Sequence, residues 1–203
     1  MKNMFAYLII FLICPAVNGT PILQIDHDGK LLGAKEVEVS GEKYDVMFKD
    51  GTCIEIFFGC ENNSDILFND FLSARAASEA LLDDVLTGVY DFHPELTLGC
   101  ERVASQCSIY TPYRVFSASG AVSSDVAVNI PATFPDRFSG GGVINDLDLS
   151  RLDQVTWASW SIASVPEPNV ISLLLAGLAM LLVVRQTNYK KFRHADKLML
   201  ARC

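Results

Sequence analysis

Apolar and polar side chains alternate along the middle of the chain. Residues 35–39 (KEVEV) and 43–48 (KYDVMF) place an apolar side chain at nearly every second position, the period of a half-buried strand. Between them, Ser40-Gly41-Glu42 predicts a hairpin turn. Residues 49–52 turn the chain again, and 53–57 predict a third alternating strand. The period changes over 70–86, where apolar side chains at 71, 74, 81, 82 and 85 share one helical face. Asn69 or Asp70 can cap that helix and Gly88 ends it. Strands are predicted again over 108–116, 121–130 and 155–162, with residues 139–142 (SGGG) as a turn-rich separator. The expected fold class is α+β: a mostly antiparallel sheet carrying one main helix.

Two continuous apolar runs lie towards the ends. Residues 4–13 follow Lys2 and precede Pro15 and small residues, the layout of a secretory signal peptide. Val17 and Gly19 suit a cut before Thr20, with a cut after Ala16 as the alternative. Ten residues of helix rise only about 15 Å, too short for a bilayer core. Residues 170–184 form the second run, with Ser172 as its only polar side chain, and predict a C-terminal transmembrane helix. Four segments result: 1–19 signal peptide, 20–164 exported domain, 165–185 sorting signal and membrane helix, and 186–203 basic tail.

Charge orients this arrangement. The chain has a net charge of −8, which argues against a nucleic-acid partner. Residues 20–164 carry nine basic and 22 acidic side chains, whereas 185–203 carry six basic against one acidic. Basic segments stay on the cytoplasmic side of a membrane. The expectation is therefore a single-pass inner-membrane protein with its acidic domain outside and its tail inside, the tail attracted to anionic lipid.

The segment Val165-Pro166-Glu167-Pro168, followed by the apolar run and then Arg185, resembles a PEP-CTERM sorting signal. The resemblance implies that Pro166, Glu167 and Pro168 form the motif read by exosortase, a membrane-embedded protease, and that Arg185 begins the cytoplasmic stop. It also implies signal peptidase and the secretion machinery as partners, and a Gram-negative, exopolysaccharide-forming host. Residues 44–53 with Gly59-Cys60 are similar to ectodomains of such proteins. The function that follows is a non-enzymatic protein of the cell surface or extracellular matrix, associated with exopolysaccharide. The alternative is a permanently anchored carbohydrate-binding or adhesion module.

Cys53, Cys60, Cys100 and Cys107 fall in the exported segment, in two pairs with equal spacing. In a protein outside the reducing cytosol this predicts disulfides, with the local pairing favoured among three connectivities. The spacing does not suit a zinc site. Trp157 and Trp160 lie three apart in a predicted strand and should face opposite sides. Core packing is the default for both, with stacking on a sugar or partner as the functional alternative; Tyr110 and Tyr113 carry the same ambiguity. No catalytic group, metal or cofactor is expected. Asp26-x-Asp28-Gly29 and Asp146-x-Asp148-x-Ser150 hint at calcium loops without the spacing of one. Asp83 and Asp84 read as a solvated face, and His93 with a nearby acid is the residual hydrolase candidate.

Overall fold

The computed structural model describes residues 19–102, 105–131 and 133–164. They belong, Ser164 apart, to the first of two units, Met1–Ala163; the second is Ser164–Cys203. The expected signal peptide and the sorting and membrane segment lie outside the described residues, apart from Gly19.

Among the described residues, seven strands form one sheet: β1 (Ile22–Ile25), β2 (Leu31–Val39), β3 (Glu42–Lys49), β4 (Cys107–Phe116), β5 (Ala121–Asn129), β6 (Arg137–Ile144) and β7 (Val155–Ile162). Their order across the sheet is β1-β2-β3-β7-β4-β5-β6. The alternation at 35–48 becomes the β2–β3 hairpin, with Val39 opposite Glu42. β7 then lies between the two halves. It runs antiparallel to β3, with Val46 opposite Trp160, and parallel to β4, with Tyr110 opposite Trp157. The remaining neighbours are antiparallel.

Two segments differ from the pattern read in the sequence. Residues 53–57 do not form a strand. Cys53–Ile56 is a short helix, α1, whose N-terminus carries a capping box in which Thr52 and Glu55 bond each other's backbone N–H. A local cap overrides a five-residue alternation, because Cys53 and Ile56 share the buried side of a single helical turn. Residues 139–142 do not form a turn either. They are the middle of β6, in unbroken register with β5.

The main helix, α2, runs Phe71–Ala80 and continues through a π-helical segment, Leu81–Val85. Asp70 caps it, its carboxylate accepting the backbone N–H groups of Leu72 and Ser73 at 2.9 and 3.0 Å. A short third helix, α3 (Val89–Phe92), follows. Ala74, Ala77, Leu81 and Val85 of α2 bury against Val37, Val46, Phe48, Ile109 and Trp160 of the sheet. The opposite face carries a second core, where α1 and its loop bring Ile56, Phe57 and Ile66 onto Val115, Val122 and Trp157.

The fold is thus mixed α+β. The transmembrane helix expected beside this domain is corrected: among the described residues no helix is long and apolar enough to cross a membrane. The longest, α2, spends its apolar stripe on the sheet and carries Arg75, Glu79, Asp83 and Asp84 elsewhere on its surface. The run at 170–184 lies outside the described residues.

Candidate functional site

Both disulfides join neighbours in sequence, Cys53–Cys60 and Cys100–Cys107, with Cα separations of 5.7 and 5.5 Å. All four sulfurs belong to buried residues, so these cysteines brace the fold and offer no nucleophile. Trp157 and Trp160 do face opposite sides, yet both are buried, at 0% and 8% exposure. Trp157 donates its ring N–H to the Gly51 carbonyl and packs edge-on to Phe57 and Tyr110. Trp160 donates to the Thr111 hydroxyl and packs on Tyr44 and Phe68. Each face of the sheet has its own core, so neither ring is left over for stacking on a ligand. Pro166, Glu167, Pro168 and Arg185 lie outside the described residues.

The acidic and histidine candidates are occupied locally. Asp26, His27 and Asp28 cluster within 4.8 Å of one another. There the Asp26 carboxylate accepts the backbone N–H groups of Asp28 and Lys30, both at 2.9 Å, which closes a turn. His93 bonds Glu95 at 3.0 Å on the surface. Asp148 caps the turn at Leu149–Arg151 and Asp153 pairs with Arg102. Asp83 and Asp84 border an open cavity of about 760 Å³ together with Glu38, Leu23 and Thr87.

Two further arrangements come only from the fold. Asp125, on β5, is fully buried beneath α2. Arg75 reaches it from the helix, donating through Nε at 3.1 Å and Nη2 at 2.9 Å to the same oxygen, Oδ1. The guanidinium stacks between Phe71, at 5.3 Å, and Phe138, at 4.4 Å. Burial raises the pKa of Asp125, and Ser78 and Arg75 offset only part of that shift. The pair pins helix to sheet in one register.

The second arrangement is a cavity of about 410 Å³ on the opposite face, beside β6. Tyr110, Val126 and Val128 form its floor, and Gln106, Ser108, Arg137 and Ser139 supply polar groups. Arg137 donates to the Gln106 side chain at 3.3 Å. Burial pushes the Tyr110 phenol up, so the ring stays neutral. Gly141 leaves room for two of the lining side chains: a Cβ there would approach Tyr110 Cε1 and Val126 Cγ2 at 2.7 Å. Among the described residues no carboxylate lines it. The sequence pointed to Tyr110 without its surroundings. Gln106, Arg137 and Ser139 were missed, since a strand across the glycine run was needed to bring them together.

No family model, curated protein or solved structure matches this chain. The exported, exosortase-sorted surface protein expected from the tail, its membrane-anchored alternative and the single-pass placement are therefore corrected. Neither a family match nor a membrane-spanning helix among the described residues supports them.

Proposed function

We propose that this domain acts by binding rather than by catalysis, and that its ligand site is the cavity over Tyr110. The observation that carries this reading is electrostatic. In a segment with 22 acidic and nine basic side chains, the cavity has Arg137 at its rim and no carboxylate among its described lining residues. An apolar floor containing an aromatic ring, edged by a few polar groups and one cation, suits a small ring compound bearing a carboxylate or phosphate. Support for a non-catalytic role comes from the side chains themselves. The two histidines of the domain are paired with acids one or two residues away in sequence, and its four cysteines are oxidised in buried pairs.

Titration of the full chain with benzoate, phenyl phosphate and glucose, followed by NMR, tests this. The anionic ring compounds should give saturable shifts at Tyr110 and Ser139 and be recovered unchanged, while glucose gives weaker ones. Arg137→Gln should weaken anion binding about tenfold, the loss of one charge-assisted contact. Absence of saturable binding by both anions, or binding indifferent to Arg137→Gln, overturns the reading.

A further inference from the structure

We propose that the outer edge of β6 is a self-association surface, pairing antiparallel with β6 of a second copy of this chain. Among the described residues, β6 ends the sheet order and bonds to β5 alone. Its eight residues keep register with β5 throughout, whereas the β1–β2, β2–β3 and β4–β5 pairs each contain an irregularity. Neither proline nor lysine occurs in the strand, although these are common means of blunting an exposed edge. Among the described residues the edge is long, regular and open.

Two of its glycines have no explanation among the described residues. Gly140 and Gly142 are absent from the positive-φ positions. Among the described residues, a Cβ at Gly140 would meet nothing within 4 Å, and one at Gly142 only the Val122 carbonyl at 3.8 Å. Each glycine costs about 0.5–1 kcal/mol relative to alanine in a strand. Close approach of another backbone is what such a residue permits.

The occupant follows from the self-complementarity of the strand. Opposite residues of an antiparallel pair share a face of the sheet, so a twofold axis through the strand must pass through a residue. With the axis at Gly141, Gly140 opposes Gly142 of the second copy, Ser139 opposes Val143, and Phe138 opposes Ile144. Phe138 and Ile144 are the large apolar side chains left 36% and 59% exposed on the helix side of this edge, and the pairing would cover both. Arg137, the only charged side chain in β6, opposes Asn145, so no like charges meet within the strand. Val143 and Asn145 of the second copy would then extend the cavity wall beyond Ser139 and Arg137. The pairing does not depend on what the cavity binds.

Sedimentation equilibrium of the full chain from micromolar to millimolar concentration tests this. A reversible monomer–dimer equilibrium is expected, weak because an eight-residue edge is a small interface. Ile144→Lys and Gly140→Lys each place a cation where the structure leaves room. Each should weaken dimerisation at least about tenfold, with circular dichroism and melting unchanged. A monomer at every concentration overturns the proposal and leaves the edge to a strand of another protein. Association that neither variant alters runs through a different surface and equally overturns it.

Discussion

Neighbouring glycines in β6 answer to different constraints, and this gives the sharpest test of the packing. Gly141→Ala would press a methyl into Tyr110 and Val126. It should destabilise the domain by about 1–3 kcal/mol, the usual cost of overpacking. Gly140→Ala finds open space and should be neutral or stabilising by up to about 1 kcal/mol; urea denaturation of the two variants distinguishes them. Arg75 offers a second test. Arg75→Met keeps an apolar stem but removes the guanidinium from Phe71 and Phe138 and strands the buried Asp125 carboxylate, at a cost of about 3 kcal/mol near neutral pH. Burial already raises the folded-state pKa of Asp125, so the folded protein holds that proton more tightly than the unfolded chain. The penalty of the charged form is therefore in force above the raised pKa and fades as pH falls through it. Asp70 has the opposite sign. Backbone and side-chain hydrogen bonds from Ser73, with the Leu72 N–H, hold its pKa down. Its capping contribution is present above the ordinary carboxylate range and is lost as pH drops through the lowered value. Melting curves from pH 7 to pH 3 should thus show both the Arg75→Met deficit and the Asp70→Ala deficit shrinking.

Among the elements, the two disulfide loops carry different burdens. Cys53–Cys60 closes α1 and its return onto the second core, while Cys100–Cys107 anchors the start of β4. Closing a loop of this size stabilises by about 2–3 kcal/mol on the chain-entropy account. Replacing either pair with serine should lower unfolding free energy by that order, measured by denaturant titration against the oxidised parent. Much at this scale was legible beforehand. The β2–β3 hairpin, the capped start of α2, the strand periods at 108–116 and 155–162, and the local cysteine pairs all rest on contacts within about ten residues, where composition acts directly. Residues 53–57 and 139–142 misled for one reason. Alternation and glycine content describe local preference, whereas a capping box in one case and pairing with β5 in the other supplied the deciding hydrogen bonds.

For the whole molecule, burial on both faces of the sheet is the controlling fact. The two tryptophans of the chain should give blue-shifted emission shielded from iodide, since Trp157 and Trp160 are both enclosed. Strong quenching in the native protein would show a ring open to solvent and contradict the packing described. The sequence by itself determined the alternating strands, the amphipathic helix with its cap, the acidic charge of the domain and the cysteine spacing, because each depends on residues close together along the chain. The tertiary structure alone decided that the last strand sits mid-sheet between β3 and β4, that Arg75 meets Asp125 fifty residues away, and that Tyr110 and Arg137 border one cavity. Those pairings depend on which distant surfaces exclude water together, and local sequence preference carries no record of that choice.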